Sequence, residues 1–190
     1  MTGVQTCALP IYSKVENVSL FGIRTPFGPV GLIVMAEHYL RAARTIRSQR
    51  PVGERWSPVE KFLACRTIEL SLKAFLSMEG RPLTELGFGE FGHDLQNLLA
   101  EADAVGLSKF VDLSGEDRSA IEFVYRYYLD KVFEYPAVLE ALRGYPGDPE
   151  TEPLLDIGER LVATLMKPCS EYGPKSVVVD DAIISTAKSP

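Results

Sequence analysis

Two stretches of the chain decide its fold: residues 62–80, FLACRTIELSLKAFLSMEG, and residues 92–107, GHDLQNLLAEADAVGL. In each, apolar residues recur every three or four positions, the spacing that places them along one face of an α-helix. A connector over residues 81–92, too rich in glycine for a stable helix, joins them. The pattern predicts two amphipathic helices folded back on each other, with His93 at the turn between them.

Three more helices are predicted around this pair. They cover residues 30–48, 114–136 and 154–166, where apolar residues again recur at helical spacing. Pro168 is expected to end the last helix, and Pro136 either ends the helix before it or kinks it into a short extension through Leu142.

The central helix carries a start signal in its sequence. Ser57 is a good N-cap, and Pro58 occupies the first helical position, where a missing N–H costs nothing. Glu60 stands three residues after Ser57, the spacing of a capping box. Gly80 is expected to end the helix.

The predicted fold class is therefore all-α, an up-and-down bundle of four to five helices. A length of 190 residues fits one domain with tails better than two full domains. We expect an irregular N-terminal arm over residues 12–29, a single bundle domain over residues 30–168 and a C-terminal tail over residues 169–190. Within the tail, residues 177–179 could pair as an edge strand.

Composition excludes several functional classes. A formal charge of −6 argues against a generally basic nucleic-acid binder, although a local basic patch stays compatible with it. No apolar run approaches the length of a bilayer span. The three cysteines lack paired spacing, which favours a reducing cytoplasm. Two histidines without a cysteine cluster give no metal pattern, so neither a metal nor another cofactor is expected.

Residues 1–11, MTGVQTCALPI, look like the translation of a sequencing-library adapter. We interpret them as an assembly artefact and exclude them from reasoning about the fold. The alternative is a weak signal peptide, but this stretch lacks a basic n-region and a proper apolar h-region.

Standard catalytic motifs are missing from the sequence, including the P-loop, the dinucleotide-binding glycine pattern, HExxH, GxSxG and CxxC. The candidates that remain are isolated polar residues on the predicted helices. Glu69 and Lys73 form an i,i+4 pair, which becomes a candidate polar site if it is partly buried. His93 begins the third helix, where it is either a proton-transfer group or part of the helix cap with Asp94.

Arg41, Arg44 and Arg47 recur at three-residue spacing on the first helix and form a candidate basic stripe. One interpretation is a ridge that contacts phosphates. The alternative is an ordinary solvated helix face.

The chain resembles the HEPN group, the higher eukaryote and prokaryote nucleotide-binding domains. The similarity covers residues 30–135 and rests on IELSLKAFLSMEG, a short connector, GHDLQNLLAEADAVGL and an aromatic helix that ends in VFEYP. HEPN proteins are helical bundles found in toxin–antitoxin and antiviral defence systems. Many are metal-independent ribonucleases whose motif, an Arg followed four to six residues later by a His, is assembled at a dimer interface.

This sequence has no Arg–His pair at that distance, so no catalytic residue is carried over. The resemblance implies a helical bundle, a homodimer, and a nucleotide or RNA ligand at Glu69, Lys73, His93 and Arg126. The leading hypothesis is a non-catalytic HEPN-like binding or interaction module. Two alternatives are a divergent ribonuclease that uses His93 with Arg126 or an arginine of the first helix, and a structural partner of a neighbouring gene product whose aromatic helix is the interface.

Overall fold

A computed structural model of the chain describes residues 28–51, 57–86, 91–135, 138 and 150–172. All of them fall within one compact unit, Phe27–Lys175. The described residues contain helices and turns but no strand, which confirms the all-α class. The adapter-like residues 1–11, residues 12–27 of the predicted N-terminal arm and the edge strand at 177–179 lie outside the described residues. The last two residues of the predicted arm belong to the start of α1, with Gly28 as its N-cap and Pro29 as its first residue.

Six helices make up the described fold, five of them ten residues or longer. A 3-10 turn at Leu107–Lys109 follows the fourth. In chain order the helices are α1 (Pro29–Gln49), α2 (Pro58–Met78), α3 (Leu83–Leu86), α4 (Leu95–Ala104), α5 (Gly115–Leu129) and α6 (Thr151–Glu171). None of these helices combines the length and the apolar character that a bilayer span requires.

Helix α2 is the centre of the fold, since α1, α4, α5 and α6 all contact it. Its side chains from Ala64 to Leu76 are buried with the single exception of Arg66. A surface helix would be polar over half of its circumference. The polar residues of α2 must therefore find partners inside the protein, because an unpaired buried charge is costly.

The start of α2 differs from the prediction. Ser57 is the N-cap residue, but its side chain makes no capping hydrogen bond. Glu60 is fully buried and instead accepts hydrogen bonds from Arg47, at 2.9 Å, and Arg50, at 3.3 Å. Two guanidinium groups thus replace the expected capping box, because they neutralise a carboxylate that the packing has removed from water.

The ends of α5 and α6 also differ from the prediction. Helix α5 stops at Leu129 and not at Pro136, because Lys131 adopts a left-handed conformation with φ of 57° and turns the chain. Helix α6 continues through Pro168 to Glu171. Leu165 and Cys169 are both fully buried on either side of this proline, so the apolar face of α6 keeps its packing after the loss of one backbone donor.

The first part of the connector between α2 and α4 differs from the prediction. It contains the short helix α3, and Leu86 at the end of that helix is buried in the core. The prediction that residues 81–92 hold no helix was therefore wrong for Leu83–Leu86. A buried leucine stabilises a single helical turn that intrinsic propensity alone would not maintain.

Candidate functional site

A buried carboxylate at the middle of α2 organises the candidate site. The Glu69 side chain is 0% exposed, and four side chains direct polar atoms at it. Lys73 donates to Oε1 at 2.6 Å, and Nη1 of Arg66 lies 2.9 Å from Oε1 and 2.8 Å from Oε2. The Tyr128 hydroxyl donates to Oε2, and His93 Nδ1 lies 3.2 Å from the same atom. We call these five residues the Glu69 cluster.

Three structural elements supply the Glu69 cluster. Arg66, Glu69 and Lys73 are spaced three and four residues apart, so they share one face of α2. Tyr128 comes from the buried side of α5, and His93 from the turn that precedes α4. Helical spacing together with the return of α4 along α2 therefore brings these side chains to one point.

The turn that carries His93 is held from both sides. Lys73 donates a second hydrogen bond, 2.6 Å long, to the backbone carbonyl of Gly92. The Asp94 side chain accepts from the backbone N–H groups of Gln96 and Asn97, both at 3.0 Å, and so caps α4. The capping role that the sequence left open between His93 and Asp94 belongs to Asp94, which leaves the imidazole to face Glu69.

Charge and burial set the protonation states of this cluster. Burial alone would raise the pKa of Glu69, but the hydrogen bond with His93 and the positive charges of Lys73 and Arg66 outweigh it and lower the pKa from 4.5 to about 2. Burial and the negative charge of Glu69 raise the pKa of the Tyr128 hydroxyl. At neutral pH Glu69 is therefore an anion and Tyr128 is a protonated donor.

The cluster carries an excess positive charge at its exposed edge. Glu69 contributes −1, and Arg66 and Lys73 contribute +1 each, so the sum is +1 when His93 is neutral. Lys73 is buried, whereas the Arg66 side chain is 27% exposed and that of His93 is 40% exposed. The uncompensated charge is thus accessible to an anion in solvent beside a histidine.

The orientation of His93 is also defined. A carboxylate only accepts hydrogen bonds, so Nδ1 carries the proton that faces Glu69, and in the neutral ring Nε2 is then the acceptor. Within the described part of the chain, Nε2 has no hydrogen-bond partner. The imidazole meets the Tyr128 ring edge-on, with centroids 5.7 Å apart and planes at 87°. A histidine held by a carboxylate in this way is an arrangement that can accept a proton from a bound molecule.

Of the four residues predicted to form a polar site, the structure brings Glu69, Lys73 and His93 together. Arg126 stays apart from them. It lies two residues before Tyr128, about 200° around α5, and its guanidinium lies 5.9 Å from the centre of the Tyr125 ring on the exposed side. Whether the other three bind a ligand stays a prediction.

Sequence reasoning missed two members of the cluster, Arg66 and Tyr128. Arg66 stands three residues before Glu69, a spacing that was available as a signal. In the sequence, Tyr128 falls on the apolar face predicted for α5, so its hydroxyl gives no sign of a polar role. Its hydroxyl contacts a carboxylate 59 residues away, and no local pattern encodes that contact.

The predicted basic stripe on α1 is not an open phosphate ridge. Arg44 forms ion pairs with Asp156 at 2.8 Å, with Glu159 at 2.6 Å and with Glu152. Arg47 pairs with the buried Glu60 and with Glu152, whereas Arg41 is exposed and has no carboxylate within ion-pair distance among the described residues. The correction follows from packing, because α6 brings its acidic side chains against α1.

No group of three or more metal-binding side chains occurs among the described residues. Comparison with protein-family models, with curated proteins and with solved structures finds no match to this chain. Function must therefore be inferred from the chemistry of its own side chains.

Proposed function

We propose that this chain is a non-catalytic HEPN-like module that binds the phosphate of a nucleotide or RNA at the exposed edge of the Glu69 cluster. The carrying observation is the uncompensated positive charge on the partly exposed Arg66, next to a histidine whose Nε2 has no hydrogen-bond partner among the described residues. A guanidinium has five donors, so Arg66 can contact Glu69 and a phosphate oxygen together.

The meeting of Glu69, Lys73 and His93 at one point supports a shared ligand site for these three residues. From the HEPN resemblance we also infer an up-and-down bundle, a homodimer and a role in a toxin–antitoxin or phage-defence system. Light scattering on the purified chain would test the dimer, and a strict monomer would count against this part of the proposal.

The binding proposal is tested by titrating fluorescently labelled single-stranded RNA and labelled ATP with the purified chain. We expect Arg66→Gln to weaken binding about tenfold, the effect of losing roughly 1.4 kcal/mol. Arg41→Gln is the matched control, because it removes the same charge from an exposed position without an ion pair among the described residues. Equal losses in both variants, or no binding of either probe to the wild type, would refute a site at Arg66.

One observation favours a second function, a metal-independent ribonuclease. The Glu69–His93 pair orients an imidazole, and Arg66 Nη1 lies 3.5 Å from His93 Nδ1, so a base and a cation stand side by side. Arg66 replaces the expected Arg126 in this version, because Arg126 faces elsewhere. Cleavage of a mixed RNA pool in EDTA that His93→Ala abolishes would support it, and an intact pool with the wild type would exclude it.

A further inference from the structure

Helix α5 presents a second, separate feature on its exposed side. Its buried side packs Ile121, Val124 and Tyr128 into the core. The other side borders an open groove of about 720 Å³. Three aromatic side chains of α5 that are not part of the Glu69 cluster line this groove: Phe123, Tyr125 and Tyr127. Gln96 of α4 and Val132, in the turn after α5, also line it.

Aromatic rings form much of this groove. Phe123 is 43% exposed, and its ring centroid lies 6.2 Å from that of Tyr127. Tyr127 in turn stacks on Phe133, with centroids 6.0 Å apart and planes at 27°. Large apolar side chains grouped at the surface mark interaction sites more often than isolated ones do. The stacking fixes the position of the Tyr127 ring, so part of the surface is already ordered before any partner binds.

The charges of the groove are unusual for a helix. Glu122 and Asp130 stand one turn before and one turn after Arg126, the spacing at which ion pairs normally form. Among the described residues neither carboxylate has an ion pair, because the Arg126 guanidinium lies over the Tyr125 ring instead. The groove therefore has a formal charge of −1 and holds two unneutralised carboxylates beside aromatic faces.

We propose that this groove docks a basic segment of a partner protein. Arginine or lysine side chains of that segment would lie across the Phe123 and Tyr127 rings, one with its charge against Glu122 and another with its charge against Asp130. Aromatic faces attract cations, and the aliphatic stem of a basic side chain packs well on an apolar ring. The groove thus offers both halves of such a side chain a matching surface.

The same chemistry disfavours two other occupants. A nucleic acid would bring its phosphates against two carboxylates, so its backbone would be repelled. A second copy of this chain seated by two-fold symmetry would place four carboxylates opposite two arginines in one interface. A basic partner meets neither repulsion.

The test measures the binding of a fluorescently labelled eight-residue peptide of alternating arginine and leucine to the full chain. Fluorescence anisotropy at physiological salt gives the affinity. A glutamate–leucine peptide of the same length is the negative probe. We expect the basic peptide to bind and the acidic peptide not to bind. Glu122→Gln/Asp130→Asn is expected to weaken binding about tenfold or more, since it removes both facing charges. Phe123→Ala is expected to weaken binding as well.

A matched double variant separates docking from general attraction to an acidic protein. Glu116→Gln/Glu134→Gln removes the same charge from exposed positions on and just after α5 that do not line the groove. The proposal predicts that this variant binds the basic peptide with nearly the affinity of the wild type. Equal weakening in both double variants, or no binding of the basic peptide, overturns the proposal. If the chain forms a dimer that only Glu122→Gln/Asp130→Asn dissociates, the occupant is a second copy of the chain and the proposal is wrong. If RNA binding is lost only in this variant, the occupant is a nucleic acid and the proposal is likewise wrong.

Discussion

Replacing Glu69 with glutamine tests the physical reasoning behind the Glu69 cluster. The substitution keeps the shape of the side chain but removes its charge, and it leaves the buried Lys73 ammonium and the Arg66 guanidinium without their counter-ion. Breaking a buried ion pair by changing one partner costs about 3–5 kcal/mol. We expect Glu69→Gln to lower the free energy of unfolding by an amount in that range.

The pH dependence of stability gives an independent value for the contribution of the Glu69 charge to the free energy of unfolding. The pKa of Glu69 falls from its ordinary value of 4.5 to about 2 on folding. The difference of about 2.5 pH units corresponds to about 3 kcal/mol at ~1.36 kcal/mol per unit. A lowered folded-state pKa stabilises the protein above the unfolded-state value, so this contribution is complete above pH 4.5. It is lost as the pH falls from 4.5 towards 2.

Urea denaturation at a series of pH values measures both effects. The wild type should lose stability below pH 4.5 more steeply than Glu69→Gln, because the glutamine does not titrate. Asp103→Asn is the control, since it breaks an ion pair with Arg118 at the surface, where such pairs are worth about 0–1 kcal/mol. A cost of less than ~1 kcal/mol for Glu69→Gln would refute this reasoning. So would a parallel loss of unfolding free energy with falling pH in the wild type and in Glu69→Gln, because Glu69 would then not be an ionised, buried partner of Lys73 and Arg66.

Three further substitutions are predicted to lower stability for separate reasons, each measurable by urea denaturation. Tyr128→Phe removes a hydroxyl donor to the buried carboxylate and should cost about 1.5–3 kcal/mol, and an effect near zero would mean that this hydrogen bond contributes nothing. Gly158→Ala would place a Cβ 2.9 Å from Thr67 Cγ2 and should cost about 1–3 kcal/mol, whereas Gly115→Ala meets no atom within 4 Å and should not destabilise. Asp94→Ala removes the N-cap of α4 and should cost ~1 kcal/mol, and a smaller loss than at an exposed control position would contradict the capping role.

Much of the fold was predictable because periodicity is a local signal. Helices α1, α2 and α4 each carry an apolar face that the sequence displays, and the structure has a helix at each place. Apart from the helical turn Leu83–Leu86, the errors occurred at helix ends, where packing competes with local preference. Pro168 lies inside α6, and α5 turns at Lys131 before it reaches Pro136.

The candidate site was predictable only where its residues were close in sequence or adjoined the same turn. Glu69 and Lys73 share one helical face, and His93 begins the helix that folds back on them, so their meeting followed from the helix pair. Tyr128 joins them through the packing of α5, a long-range contact that spacing does not encode. The prediction that Arg126 joins this site was wrong, because its position was taken from a family resemblance, which does not show which side of a helix faces the core.

The pairing of Arg44 and Arg47 with acidic residues of α6 was likewise beyond local reasoning. The sequence shows three arginines at three-residue spacing along α1, but the α6 carboxylates that pair with Arg44 and Arg47 are more than a hundred residues away. A charge pattern on one helix describes an open surface only if no other element covers it.

Because Lys73 donates a hydrogen bond to the Gly92 carbonyl, the imidazole of His93 should respond to changes in the interior of the fold. One ammonium group contacts both the core carboxylate and the backbone of the turn, so we expect a disturbance of α2 to reach the imidazole before the helices separate. In NMR spectra recorded during gentle warming, the His93 ring signals should therefore shift ahead of global melting. A ligand seated at this edge would in turn be sensitive to substitutions placed deep in the core.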